Sequence, residues 1–301
     1  MNLNVVVVLV LVVGALATPR APAHRNQVQE LTKDEALLRR LPWLWSALIA
    51  DVPVSVTKVE VVPLQHDTSR PVNERYPSAV LFGGTCGGTI IDAKWILSAG
   101  HCTLFTSGRE ILAGTNYTDD GSGIVQRVKK LHIHPKFAVG PYWLDASEYD
   151  IKQVGARWDF LLVELQDPLP LDGKTMVAAK LDNNLQPKAH TPVGYAGFGA
   201  ENHGDVMRSE MHAMDLEVLP NSECDPLEPF DPADMICTRG RAPKLDSACN
   251  GDSGSGLMHN GYVMGVASWV EDDAFVCRKG ARVVFSRVAA VRDWIREVAN
   301  V

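Results

Sequence analysis

Short apolar stretches, separated by glycine, proline and asparagine, recur along the chain after residue 78. Six of them have the length and composition of strands: residues 79–82, 89–92, 95–98, 160–165, 262–269 and 283–288. Many short strands between turn signals favour an all-β barrel or sandwich over alternating βαβ units. The end of the chain changes period, because Val288, Val291, Ile295 and Val298 follow helical spacing with Trp294 beside them. This spacing predicts an amphipathic C-terminal helix.

The beginning of the chain carries a different apolar pattern. An unbroken apolar run from Val5 to Val13 is followed by Gly14 and the small-x-small sequence Ala15-Leu16-Ala17. The pattern predicts a signal peptide over residues 1–17 and hence a secreted, extracellular protein. No Lys or Arg precedes the run, and a retained membrane anchor is the alternative interpretation. No later stretch approaches the roughly 20 apolar residues that a membrane span needs.

Residues 18–58 form a segment of separate character. Leucines at helical spacing and the basic pair Arg39-Arg40 lie within it, followed by the apolar run Leu41-Pro42-Trp43-Leu44-Trp45. We interpret the segment as a prosegment that packs against the following domain, residues 59–301. An interaction arm is the alternative that the sequence leaves open.

Composition and charge narrow the classes of function. The chain has 301 residues, of which 46% are hydrophobic, and a formal net charge of -7. It is long enough to bury one large core or two modest ones. The net charge provides no basic footprint for nucleic acid or for an anionic membrane. The basic cluster Arg127, Lys129 and Lys130 is interpreted as a solvated strand face.

Three distant runs carry the candidate chemistry: LSAGHC ending at Cys102, WDFLLVEL starting at Trp158, and CNGDSGSGL starting at Cys249. They supply His101, Asp159 and Ser253. A serine hydroxyl needs a neighbouring imidazole to take its proton and a carboxylate to fix the imidazole tautomer. These residue types therefore suit nucleophilic acyl transfer.

The three runs, in the order His, Asp, Ser, resemble the motifs of the chymotrypsin/trypsin family of serine proteases over residues 77 to 299. The resemblance implies two antiparallel six-stranded β-barrels, an active site between them and a C-terminal α-helix. It also implies a serine-type endopeptidase in which Ser253 attacks, His101 exchanges protons and Asp159 orients the imidazole. Backbone N–H groups of Gly251 and Ser253 would form the oxyanion hole.

The resemblance also assigns a substrate pocket. Its base would be Ser247, which cannot pair with Lys or Arg, and its walls would be Ser268, Trp269, Val270 and Val283. The two valines give an elastase-like arrangement that favours small apolar residues before the scissile bond. An extended polypeptide substrate would pair with the backbone of residues 268 and 270 as an added strand. Protein inhibitors and an activating protease are further partners by resemblance.

Six cysteines in an exported chain predict three disulfides, although spacing alone leaves 15 connectivities. The resemblance implies the pairs Cys86–Cys102, Cys224–Cys237 and Cys249–Cys277. The competing interpretation is a zinc site, but the chain has no close CxxC or HxxxH pair. We predict no metal and no cofactor.

The activation sequence is where this chain departs from the family that it resembles. Zymogens of the family are cut to expose Ile-Val-Gly-Gly, whose ammonium pairs with the aspartate corresponding to Asp252. No such tetrapeptide occurs, and the best substitute begins at Val59, after Lys58, with Arg40 as another processing point. An unpaired buried carboxylate is costly, so we expect Asp252 to have a cationic partner. The departure motivates a second hypothesis, a non-catalytic protease homologue with a binding or regulatory role.

Two further features are specific to this chain. Asn116-Tyr117-Thr118 is an N-glycosylation sequon, whose occupancy the sequence leaves open. The connection 136–158 is longer than in the family and is acidic and aromatic. It either narrows the substrate range or is a solvated insertion.

Overall fold

A computed structural model describes residue 65 and residues 67–106, 109–140, 155–227, 229–271 and 277–301. The signal peptide and the prosegment expected from the sequence lie outside these residues. The same holds for Arg40, Lys58 and Val59, and for residues 141–154 of the long connection.

The described residues form fifteen strands. They are β1 Ala79–Phe82, β2 Cys86–Asp92, β3 Trp95–Ser98, β4 Glu110–Ala113, β5 Ile124–Ile133, β6 Ala138–Val139, β7 Ala156–Arg157, β8 Leu161–Leu165, β9 Lys180–Leu181, β10 Pro192–Gly197, β11 His212–Val218, β12 Met235–Gly240, β13 Gly256–His259, β14 Tyr262–Val270 and β15 Val283–Arg287. The six predicted stretches correspond to β1, β2, β3, β8, β14 and β15. The other nine strands were not predicted, and the longest of them, the ten-residue β5, has only Val128 buried and a weak apolar alternation. The basic residues of β5 are exposed, as a solvated strand face requires.

The first barrel closes in the order β1-β2-β3-β8-β5-β4. All its pairings are antiparallel, and β1 closes the ring by pairing with both β2 and β4. Its interior is filled by fully buried aromatic and aliphatic side chains, including Phe82, Ile90, Ile96, Ile111 and Leu162.

The second barrel consists of β10, β11, β12, β15, β14 and β13, closed because β13 pairs with both β10 and β14. The two-residue strand β9 joins β14 as a parallel partner. Tyr195 and Phe285 pack edge to face in the core, with ring centroids 5.8 Å apart. The expected fold of two six-stranded barrels is therefore confirmed.

The C-terminal helix is also confirmed, with a modified start. Residues Val288–Val291 form a 3-10 turn, and the α-helix α3 follows over Arg292–Ala299. Ile295 is fully buried, whereas the neighbouring Arg296 and Glu297 are exposed. The apolar spacing read from the sequence is thus the face that packs on the barrels. The described residues also form two single-turn α-helices, α1 Val72–Arg75 and α2 Cys102–Phe105, and a 3-10 turn over Asn221–Glu223.

Three disulfides join the pairs that the resemblance implied, Cys86–Cys102, Cys224–Cys237 and Cys249–Cys277. The first links β2 to α2, the second links the turn before β12 to β12, and the third ties the Ser253 segment to residue 277. In the part of the chain that the structure describes, no helix has the length and apolarity to cross a membrane.

Candidate active site

Strand pairing in the first barrel brings His101 and Asp159 together. β3 pairs antiparallel with β8, and Ser98 at the end of β3 faces Leu161 at the start of β8. The residues just after β3 therefore meet the residues just before β8. His101 Nδ1 lies 2.6 Å from Asp159 Oδ2, and the His101 backbone N–H donates to Asp159 Oδ1 at 2.8 Å.

A third donor on Asp159 comes from the second barrel. The Ser268 hydroxyl, on β14, donates to Asp159 Oδ2 at 2.5 Å, and the carboxylate is completely buried. Burial of His101 disfavours its charged form. The charge of Asp159 and its hydrogen bond nevertheless outweigh burial, so the pKa of His101 is raised above its ordinary value of 6.5.

Ser253 lies in a tight turn between Asp252 and β13. Its carbonyl accepts from the Gly87 N–H at 2.7 Å, and the next residue, Gly254, donates to Ala267 O at 2.9 Å. Gly254 has a φ of 83°, and a Cβ there would lie 2.3 Å from Ser98 Oγ. Only glycine fits this position, because the backbone turns left-handed against β3.

Gly251 and Ser253 also contribute backbone N–H groups at the cleft. Gly251 has a φ of 98°, and among the described residues neither the Gly251 nor the Ser253 N–H has a backbone acceptor. Both residues line a cleft of about 520 Å³ that His101 also lines. Their role as oxyanion donors stays a prediction.

The expected pocket walls line this cleft, but the expected base does not. Ser268, Trp269, Val270 and Val283 are all lining residues. Ser247 is absent from the described lining, where Ala248 is found instead. The Ser247 hydroxyl donates to the carbonyl of Ala281 at 3.3 Å, so its polar group is taken up by backbone.

Asp252 is fully enclosed beneath the Ser253 turn. Its carboxylate accepts from the N–H groups of Cys249 at 2.9 Å and Gly199 at 3.2 Å. Burial raises the pKa of Asp252 to about 6, against the effect of these hydrogen bonds and of the more remote Arg208 charge. No ion pair to Asp252 exists among the residues that the structure describes. The cationic partner expected from the sequence is therefore not found in that part of the chain.

The residue before Asp159 has an unusual backbone. Trp158 has a φ of 53°, a left-handed conformation that is strained for a large side chain. Its ring stacks on His134 at 5.5 Å, and Lys136 Nζ lies 4.8 Å above the ring centroid. Gly100, where the family commonly has alanine, faces the ring of Phe137, 3.1 Å from the position of an added Cβ.

The sequence reasoning missed several residues of the cleft, among them Thr85, Phe105, His203 and Met207. Phe105 packs edge-on against His101, with ring centroids 6.2 Å apart. Met207 covers Gly251, since its Sδ lies 2.9 Å from where a Cβ would be. These four residues lie outside the three motifs, and only the tertiary structure brings them to the cleft that Ser253 lines.

The sequon residue Asn116 is half-buried. Its side-chain Oδ1 accepts from the Asn73 N–H at 2.8 Å, which orients the amide. Glycosylation at this position stays a prediction.

The sequence profile of the family described as trypsin matches residues 64–295, which is most of the chain. The chain belongs to the trypsin family of serine proteases. Scolexin B of Heliothis virescens is 61% identical over 287 residues, covering 95% of each chain. Trypsin zeta of Drosophila melanogaster is 29% identical over 226 residues, covering 72% of this chain and 75% of its own.

Solved structures share the fold of this trypsin-family chain. Neuropsin, described as a serine protease expressed in the limbic system of mouse brain, has 21% identity and a TM-score of 0.60, covering 74% of this chain and 95% of its own. Trypsin-family proteins act on polypeptides and are typically secreted. In the described part of this chain, no group of three or more His, Cys, Asp or Glu side chains is arranged to hold a metal ion.

Proposed function

We propose that the chain is a secreted endopeptidase that hydrolyses peptide bonds through an acyl-enzyme on Ser253. The observation that carries the proposal is the 2.6 Å contact between His101 Nδ1 and Asp159 Oδ2, in a cleft that Ser253 also lines. The contact fixes the imidazole with its other nitrogen free for proton transfer.

The mechanism assigns one task to each group. Ser253 Oγ attacks the scissile carbonyl while His101 Nε2 takes its proton, and His101 then gives that proton to the leaving amine. Asp159 holds the tautomer and stabilises the imidazolium. The Gly251 and Ser253 N–H groups stabilise the oxyanion, and a single such donor contributes about 3 kcal/mol.

Residues before the scissile bond would be small and apolar. Val270 and Val283 line the cleft, and their side chains take up space that a large aromatic side chain would need. None of the seventeen described lining residues is Asp, Glu, Lys or Arg. The described lining therefore has no carboxylate that could bind the side chain of a Lys or Arg residue of the substrate. Rates on matched Ala, Val, Phe and Arg peptides test this preference, and a dominant rate on Arg would contradict it.

The expected processing completes the proposal. Residues 1–17 would be removed on secretion and residues 18–58 on activation, with cleavage after Lys58. Inserting the Val59 ammonium beside Asp252 would provide the countercharge that the described residues do not. Mass spectrometry of the active secreted chain tests this, and a mature N-terminus far from Val59 would contradict it.

The decisive experiment is hydrolysis of a peptide library by the processed protein and by its Ser253→Ala variant. We expect cleavage by the parent and none by the variant. Folding of the variant is checked by circular dichroism, so that a loss of structure is not taken for a loss of the nucleophile.

A non-catalytic binding homologue is the second candidate. The observation that favours it is the buried Asp252, for which the described residues supply no ion pair. A structure described as an inactivated protease paralogue of the scabies mite has the same fold, with 21% identity, a TM-score of 0.59 and coverage of 76% of this chain and 94% of its own. Absence of hydrolysis by correctly processed protein would favour this candidate.

A further inference from the structure

The cleft extends beyond the walls assigned to the residues before the scissile bond. Phe105 of α2 and Met207 of the β10–β11 connection line it, together with the Cys86–Cys102 disulfide. The Phe105 side chain is 62% exposed although it is large and apolar.

The chemistry decides what these residues face. His101 must deliver a proton to the leaving nitrogen, so the residue that carries this nitrogen lies against the groups around His101. Phe105 packs on the His101 ring, with centroids 6.2 Å apart, and Met207 covers the oxyanion residue Gly251. The acyl part of the substrate, in contrast, is assigned to Ser268–Val270.

Exposed apolar side chains adjoin both residues. Leu104 is 60% exposed and precedes Phe105, and Val206 is 88% exposed and precedes Met207. Large apolar groups exposed next to a cleft commonly mark a binding surface.

We propose that Phe105 and Met207 form an apolar subsite that selects a large aliphatic or aromatic residue immediately after the scissile bond. The proposal rests on the proposed endopeptidase function. It assigns this chain a preference on both sides of the cleaved bond: small and apolar before it, large and apolar after it.

Acyl transfer to added amines tests the subsite, because the attacking amine occupies the place of the leaving group. The processed protein is acylated with an N-blocked alanine ester, and glycinamide, leucinamide, phenylalaninamide, aspartamide or lysinamide is added. The amine nitrogen bonds to the acyl carbon, the bond from that carbon to Ser253 Oγ breaks with its electron pair going to Oγ, and His101 carries the amine proton to Oγ. The ratio of amide product to hydrolysis product is measured for each amine.

We expect leucinamide and phenylalaninamide to capture the acyl group about tenfold more efficiently than glycinamide, because their side chains leave water. Aspartamide and lysinamide should not exceed glycinamide. Phe105→Ala should remove most of the preference, and Phe105→Leu should restore much of it. Val125→Ala, at a residue that is 58% exposed on β5, is the matched control and should leave the ratios unchanged.

The outcomes separate the two proposals. Equal capture of all amines by an acyl-enzyme that forms normally, or a preference that survives Phe105→Ala, would overturn the subsite and leave the endopeptidase function intact. Failure of the processed protein to form any acyl-enzyme would overturn the endopeptidase function and the subsite with it.

Discussion

The Asp159 carboxylate illustrates how much of the candidate site depends on single hydrogen bonds. It is completely buried and accepts from the His101 backbone, the His101 ring and the Ser268 hydroxyl. A buried charge is tolerated only when such donors replace water. Each donor therefore affects both the stability of the fold and the orientation of the imidazole.

Ser268→Ala removes one of these donors. We expect the free energy of unfolding to fall by about 2 kcal/mol, because a hydrogen bond to a buried charged group is lost. We also expect kcat/KM to fall by about tenfold, as His101 becomes less firmly oriented. Urea denaturation and peptide hydrolysis measure the two effects. Unchanged values for both would show that water or a neighbouring group replaces the hydroxyl.

The pH dependence of hydrolysis follows from His101. Its pKa is raised above 6.5 by Asp159, and only the neutral imidazole can accept the Ser253 proton. We therefore expect kcat/KM to fall as the pH drops through a value above 6.5. Asp159→Asn should lower kcat by a factor on the order of 10⁴. An acid limb well below pH 6.5 in the parent protein would contradict this assignment.

At the scale of elements, an ion pair connects the short strand β7 to the residue before β12. Arg157 Nε and Nη2 contact Asp234 Oδ2 and Oδ1 at 3.1 and 2.9 Å, and the Asp234 side chain is fully buried. Nη2 also contacts Asp231 at 2.9 Å. Because Asp159 is two residues after Arg157, this pair ties the segment before β8 to the second barrel.

Arg157→Ala would leave Asp234 buried without its countercharge. We expect the free energy of unfolding to fall by about 3 kcal/mol, with a smaller loss for Arg157→Lys, which keeps the charge but not the bidentate geometry. Arg296→Ala, which breaks an exposed pair with Asp293, is the control and should change stability by no more than about 0.5 kcal/mol. Equal effects of the alanine variants in urea denaturation would contradict a structural role for the buried pair.

Comparison of the predicted and observed strands shows which elements a sequence pattern can locate. β1 and β3 were predicted to the residue, because short apolar stretches between turns have few alternatives in a barrel. Among the strands that were missed, β5 has a single buried side chain, Val128, so its composition shows little apolar pattern. The sequence also did not predict that the C-terminal helix starts as a 3-10 turn, because the same apolar spacing fits a 3-10 helix and an α-helix.

At the scale of the whole molecule, Asp252 links folding to processing. Burial raises its pKa from 3.8 to about 6. The folded state therefore binds this proton more tightly than the unfolded chain. Relative to an ordinary carboxyl group, Asp252 therefore adds stability below pH 3.8, and this contribution is lost as the pH rises through about 6. A shift of this size corresponds to about 3 kcal/mol.

Asp252→Asn tests this linkage in a Ser253→Ala background, which prevents self-cleavage. In the unprocessed chain, we expect the variant to be more stable than its parent by about 3 kcal/mol at pH 8, with the difference vanishing near pH 4. Thermal or urea denaturation across pH measures it. Asp293→Asn, at an exposed residue, is the control and should differ from its parent by no more than about 0.5 kcal/mol across this pH range.

The processed chain should behave in the opposite way. A new N-terminal ammonium beside Asp252 would favour the charged carboxylate, so Asp252→Asn should then destabilise the protein at pH 8. The same sign in both chains would contradict insertion of the N-terminus.

The amino-acid sequence alone predicted six short strands, the terminal helix, and His101, Asp159 and Ser253 as candidates, while the two-barrel architecture followed from the family resemblance of its motifs. Local periodicity and short motifs carry that information within a few neighbouring residues. The Ser268 contact to Asp159, the Arg157 pair, the Ala248 lining and the position of Phe105 and Met207 depended on the folded chain. Those contacts join residues that are far apart in sequence. They depend on strand register and loop packing, which a local sequence pattern does not reveal.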